Sequence, residues 1–302
     1  MKNPEKKSKA ADQFATGILY TVAGFFLFLL VAFTVYILIK GIATCRPEYL
    51  SFTGEGIGVQ FFNTVYLVFL SLLISVPLGL AAGIYMAEYA GSGKMTYFLR
   101  ICIETLASLP SIVVGLFGYL VFLVMTGAHW NLLAGALAVS ILNLPSLTTV
   151  TQDALESLPK SLAEGSLGLG ATHWQTIAGV LLPAAMPRII TGIVMAAGRS
   201  FGEAAALLFT SGMSSDVNFS NWNPLSPTSP LNVMRPADTL AVRIWALRTE
   251  GTEANAAQLS DLSSAVLILM VFVFSLGSRL LGNRLEQKMT GGRTEKEGNK
   301  KE

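Results

Sequence analysis

Charge is what this chain has least of. Asp, Glu, Lys and Arg make up 13% of its 302 residues, while 52% are hydrophobic and the mean hydropathy is +0.55. That is about half the charge of an average soluble domain, too little to clothe a globular surface, so a water-soluble fold is excluded. Cysteine and histidine are also scarce, with two of each. Cys45 and Cys102 fall on opposite sides of the apolar segments, and so do His129 and His173, so neither a disulfide nor a metal site is expected. No Ser/His/Asp or Cys/His arrangement is visible, which speaks against nucleophilic catalysis. Gly91-Ser92-Gly93-Lys94-Met95-Thr96 looks at first like a phosphate-binding loop. Glu88 stands where that motif needs glycine and Met95 where it needs Ser or Thr, so no nucleotide hydrolysis by this chain is expected.

Long apolar runs are what the chain has instead. A bilayer core takes roughly 20 apolar residues per helix, and six runs qualify, at 18–42, 61–86, 105–126, 131–150, 188–211 and 262–282. The fold class is therefore an all-α polytopic membrane protein with six transmembrane helices. An even number of spans puts both termini on one side. Lys2, Lys6, Lys7 and Lys9 precede the first span, Arg284, Lys288, Arg293, Lys296, Lys300 and Lys301 follow the last, and Lys94, Arg100 and Lys160 fall in loops on that side. The opposite face has Arg46, Arg235, Arg243 and Arg248. The bias assigns both termini and the Glu164 loop to the cytoplasm. The first apolar run is too long for a signal peptide, and Thr44 before Cys45 does not suit a lipoprotein cleavage site. A retained anchor is expected. The chain divides into a basic N-terminus (1–17), the anchor with an outer loop (18–60), a core (61–283) and a charged, disordered tail (284–302). Within the core lie a cytoplasmic loop (152–187) and an outer loop (212–261).

Punctuation within the runs carries further expectations. Pro77 predicts a kink in the second span, Leu109-Pro110-Ser111 opens the third, and Gly115 and Gly118 permit close helix contact there. Asn143 and Pro145 interrupt the fourth. His129 reads as an interfacial residue. The loop from Glu164 to Pro183 reads as an elbow of two short helices: Pro159 suits a first turn, Gly170 a left-handed stop, and Thr172-His173-Trp174-Gln175 is a capping box that restarts a helix until Pro183 ends it. In the outer loop, Pro224, Pro227, Pro230 and Pro236 predict irregular chain. A short helix is then expected over 237–247, with Leu240, Ile244 and Leu247 on one face and Trp245 near the interface. It reads equally as a surface cover or as part of a landing surface for an external protein.

Arg199 and Glu203 stand out in the fifth span. A charge at a helix centre costs roughly 2.5–3.5 kcal/mol even on the mildest scale, so both need partners or water. Their spacing puts them one helical turn apart and lets them pair. Two readings stay open, a salt bridge that orients the helix and a polar patch on an anion route in which Arg199 attracts an oxyanion and Glu203 holds its guanidinium.

The Glu164 loop, Glu164-Gly165-Ser166, then Gly170, then Leu182-Pro183, resembles the loop by which permease subunits of ABC importers dock onto their ATPase. Together with Leu109 to Gly118, Pro187 to Gly192 and Arg199 to Thr210, it is similar to the PstA family of phosphate importer permeases over most of residues 60–282. The chain departs from the family in Gly202-Glu203-Ala204-Ala205-Ala206, where Gly-Glu-Thr-Ala-Pro is usual, and in Gly165 for Ala. The resemblance implies a cytoplasmic coupling helix and ATPase docking through Glu164, Gly165, Ser166, Gly170, Leu182 and Pro183. It also implies translocation of inorganic phosphate past Arg199 and Glu203. Implied partners are a homologous second permease (PstC-like), two ATP-binding subunits (PstB-like) that carry ATP and Mg, an extracytoplasmic phosphate-binding protein (PstS-like) and membrane lipids. This chain would bind no cofactor and no nucleic acid. A permease for phosphonate, sulfate or molybdate is the nearest alternative, and a neighbouring gene for a phosphate-binding protein would discriminate. An ion-coupled secondary transporter would show internal repeats, which are not evident. A scaffold or sensor would have no need of Arg199 or Glu203.

Overall fold

In a bilayer every backbone N–H and C=O must be paired within the chain, so long apolar runs become helices. The computed structural model describes residues 4–52, 56–91, 93–251 and 255–289, and among them no strand occurs. The helices are α1 (Pro4–Ala43), α2 (Gly58–Ile84), α3 (Lys94–Ser108), α4 (Ser111–Gly118), α5 (Leu132–Glu156), α6 (Lys160–Gly168), α7 (His173–Thr176), α8 (Leu182–Phe201), α9 (Ala205–Thr210), α10 (Leu240–Thr249) and α11 (Ala256–Met289). Five continuous helical stretches are long and apolar enough to cross a membrane, and the bent pair formed by α3 with 111–124 makes a sixth.

α5 is the axis of the bundle. α2, α4, α8 and α9 all pack on it, and it is the most enclosed of the spans. Its polar side chains face neighbours: Ser140 Oγ donates to the Ser71 carbonyl at 3.0 Å, and Asn143 Nδ2 to Ser200 Oγ at 2.9 Å. Gly115 sets the approach of α4 to α9, since a Cβ there would lie 2.7 Å from Ala206 Cα. α8 and α11 run antiparallel. The Phe201 ring meets Phe274 at 5.2 Å near the outer end, and Ile190 lies beside Gly282 at the other. α1 packs on α11, with its outward apolar surface uncovered in the single chain.

Several boundaries differ from those expected. The third span does not start at 105: the chain turns by 101° between Ser108 and Ser111. The residue before a proline is driven to extended backbone, and Leu109 (φ −67, ψ 133) and Pro110 (ψ 137) both take it. The fifth run is not one helix either, because α8 stops at Phe201 and α9 starts afresh at Ala205. Pro183 does not end a helix. A π-helical turn, Ile177–Leu181, carries α7 into α8 without a break, and Pro183 lies just past it inside the continuous stretch His173–Phe201. Pro77 lies within α2 and Pro145 within α5, where the apolar runs place them. The expected disordered tail is helical backbone as far as Met289; Gly54 and residues 290–302 lie outside the described residues.

Candidate functional site

Three polar arrangements sit along the bundle, at one end, in the middle and at the other end. The first is the elbow. α6 ends in a Schellman motif: Gly170 takes φ +87, its N–H reaches the Leu167 carbonyl at 2.9 Å, and Ala171 N–H reaches the Ser166 carbonyl at 3.3 Å. α7 begins with the predicted capping box, in which Gln175 Oε1 accepts from Thr172 N–H at 2.8 Å and Thr172 Oγ1 from Gln175 N–H at 3.3 Å. Ser166 and Thr176 hydroxyls, 2.9 Å apart, tie the two helices together. Glu164, Gly165 and Gly170 lie on the exposed outer side of this elbow, and Ser166 is half-buried beneath them. Leu182 and Pro183 are half-buried twelve and thirteen residues beyond Gly170, on α8. Leu169 is 92% exposed and Trp174 59%, an apolar tip that nothing in this chain covers. Behind it, His173 Nε2 lies 3.4 Å from Glu88 Oε2 and edge-on to the Tyr89 ring at 5.1 Å, which braces the elbow against the end of the second span.

The second arrangement is on α8. Ile189, Gly192, Ala196, Ala197 and Ser200 face the bundle, which leaves Arg188, Thr191, Met195 and Arg199 along the open face. The pairing of Arg199 with Glu203 is not present: no ion pair joins them among the described residues. The helix has ended between them, with the Gly202 N–H and Glu203 N–H bonded to the Arg199 and Ser200 carbonyls at 3.1 and 3.3 Å. Glu203 instead caps α9, its Oε1 accepting from Ala206 N–H at 3.2 Å. A proline at 206, usual in the resembling family, has no N–H to give, so the alanine here supplies the partner. Arg199 is exposed, and its guanidinium makes no hydrogen bond among the described residues.

The third arrangement was not legible beforehand. At the end opposite the elbow, Arg235 is 3% exposed and Asp238 1%. Arg235 donates to Asn63 Oδ1 at 2.7 Å and to the carbonyls of Ser229, Pro230 and Pro236 at 3.0, 3.1 and 3.2 Å. Asp238 accepts from Gln60 Nε2 at 3.0 Å and from the Ser215 hydroxyl, and Asn63 Nδ2 donates to its carbonyl at 3.0 Å. Burial lowers the Arg235 pKa from its ordinary value, against the pull of Tyr66 and Asp238. Burial raises that of Asp238, against hydrogen bonds from Ser215 and Gln60 and the field of Arg243. The one available signal was Gln60, Asn63 and Thr64 at helical spacing at the start of an apolar run. The network pins the outer loop to α2. The short helix expected over 237–247 is α10, with Leu240 and Leu247 buried and Trp245 38% exposed.

An all-α bundle of five to six spans with a solvent-exposed helical elbow is the architecture of an importer permease. The solved bacterial alginate ABC transporter, in complex with an alginate pentasaccharide-bound periplasmic protein, contains a chain that superposes on this one with a TM-score of 0.63 at 17% identity. The match covers 94% of this chain and 98% of that one. Residues 79–291 match the family of binding-protein-dependent transport system inner membrane components, and the chain belongs to that family. It is 46% identical over 289 residues to the probable ABC transporter permease protein YqgI of Bacillus subtilis, covering 93% of this chain and 98% of that protein. It is 34% identical over 226 residues to the phosphate transport system permease protein PstA of Xylella fastidiosa strain 9a5c, covering 75% and 74%. The chain is thus a PstA-like ABC importer permease subunit, which works with an ATPase and a substrate-binding protein.

Proposed function

We propose that this subunit translocates inorganic phosphate across the cytoplasmic membrane, as one of two homologous permeases. The others in the complex are a PstC-like permease, two PstB-like ATPases that supply the energy of ATP, and a PstS-like binding protein that delivers phosphate from outside. The observation that carries the cargo is the similarity to a named phosphate permease over three quarters of the chain. Both termini and the elbow are then cytoplasmic. The elbow, from Glu164, Gly165 and Ser166 through Gly170 to Leu182 and Pro183, docks the ATPase, with the exposed Leu169 and Trp174 as its apolar contact.

Within the membrane, Arg199 presents a guanidinium with no partner among the described residues to the open face of α8, a donor set suited to an oxyanion. Glu203 serves the path through structure, by fixing the start of α9. The chain itself performs no chemistry on its cargo. The test is uptake of radiolabelled phosphate by cells with and without this gene, with unlabelled phosphate, sulfate, molybdate or phosphonate as competitor. Phosphate uptake should depend on the gene and yield only to phosphate. Stronger competition by another oxyanion would overturn the cargo.

A further inference from the structure

A groove of about 420 Å3 lies between α8 and α11, on the half of the bundle nearer the elbow. Its polar part is formed by Arg188 and Thr191 of α8 and by Ser278 and Arg279 of α11. No carboxylate lines it, and neither arginine makes a hydrogen bond or ion pair among the described residues. Both guanidiniums are exposed on helices that are otherwise apolar at this depth. Toward the membrane centre the same groove is walled by Ile190, Val194 and Met195.

Two arginines without counter-charges among the described residues, at the edge of a bilayer, attract a phosphate group, and basic pockets between membrane helices hold anionic headgroups. A free phosphate would need only the polar end. The apolar wall continues from Arg188 up to Met195, seven residues or about 10 Å of helix, and gives an acyl chain a place to lie beside its headgroup. We propose that this groove binds an anionic phospholipid, its phosphate held by Arg188 and Arg279 and one acyl chain against Ile190, Val194 and Met195. The groove lies on the same open face of α8 as Arg199, which stands one helical turn beyond Met195, and it joins a second helix, α11, to the helix that bears that residue.

The experiment uses the full chain with its co-purifying subunits in nanodiscs of phosphatidylglycerol and phosphatidylcholine, with tightly retained lipid identified by mass spectrometry after detergent exchange. Phosphatidylglycerol should be retained in preference. Arg188→Gln and Arg279→Gln should each cut that retention about fivefold, one surface arginine's share of headgroup attraction, and Arg188→Lys with Arg279→Lys should keep most of it. In the unaltered protein, retention should fall as salt rises, a measurement that needs no variant to fold. Equal retention of both lipids, or unchanged retention in the double glutamine variant, would overturn the proposal. So would displacement of the lipid by millimolar inorganic phosphate, which would put a small anion in the groove. Phosphate uptake does not enter the readout, so the lipid site and the cargo reading fail independently.

Discussion

Gly170 is the position at which the elbow can be perturbed with least collateral change. Its φ of +87 lies in the left-handed region, and a Cβ built there meets nothing within 4 Å. A side chain at 170 therefore acts through the backbone alone. The left-handed conformation costs an L-residue about 1–2 kcal/mol, and a β-branched residue fits it worst. The two Schellman bonds that depend on this conformation add about 0.5–1.5 kcal/mol each if lost. Gly170→Val should then cost about 2 kcal/mol or more, which shifts a locally folded elbow about thirtyfold toward open forms. The shift is resisted by the Ser166–Thr176 hydroxyl bond, the capping box and the contact of His173 with Glu88 and Tyr89. The bundle is untouched, so membrane abundance should stay near that of the parent while ATPase co-purification or coupled hydrolysis falls severalfold. Gly170→Asn is the control, since asparagine visits the left-handed region readily. Valine and asparagine variants with the same activity would refute the role of this turn.

Three further outcomes are expected. Arg199→Lys keeps the charge and loses the planar fork; phosphate uptake should fall about tenfold, roughly the loss of one charge-assisted bond, with normal subunit abundance, and near-parental uptake would remove Arg199 from the anion route. In intact cells a membrane-impermeant thiol reagent should label Cys45, which is exposed, or a cysteine introduced at Asn221, and should not label Ser161→Cys; labelling of position 161 from outside would reverse the orientation and with it the docking assignment. Burial raises the Asp238 pKa, so the folded state favours the neutral acid. The stability this group contributes is fully present below its unfolded pKa and lost as pH rises through the folded value. Asp238→Asn should therefore flatten the gain in melting temperature that the parent shows on acidification from neutral pH, and an unchanged slope would refute the assignment.

Local signals were legible in the sequence where they set local structure. The capping box at Thr172 and the stop at Gly170 needed only their own neighbours, and both formed as read. The positions of the spans followed from the apolar runs. Pro183 misled, because the effect of a proline depends on what surrounds it: it falls just after a π-helical turn, inside a continuous helical stretch and not at its end. The break after Phe201 was hidden because Gly202 and Ala204 are ordinary in a membrane helix. It becomes explicable only through the long-range fit of Ala206 against Gly115. The outer network joins residues 60–63 to residues 215–238, and no local pattern announces a pairing over that distance.

The same break changes what the charged pair can mean. As one helical turn, Arg199 and Glu203 would neutralise each other. With the helix ended between them they belong to different bodies: Arg199 to the rod that runs from His173 to Phe201, and Glu203 to the cap of α9. The rod's 29 residues correspond to roughly 43 Å at 1.5 Å per residue, with the π-helical turn Ile177–Leu181, Pro183 and Pro187 inside it, so the elbow helix and the Arg199 face are two ends of one continuous helical stretch. α9, by contrast, is fastened outward. The Ser211 carbonyl accepts from Ala237 N–H at 3.0 Å, the Thr210 carbonyl from Asn131 N–H at 3.2 Å, and Ser215 bonds to buried Asp238. Motion applied at the elbow thus reaches Arg199 through helix that is continuous across the π-helical turn, and the helix first breaks at residues 202–204. On the proposed reading, this arrangement lets an ATPase move the anion-facing arginine while the outer surface, where a binding protein would sit, keeps its shape.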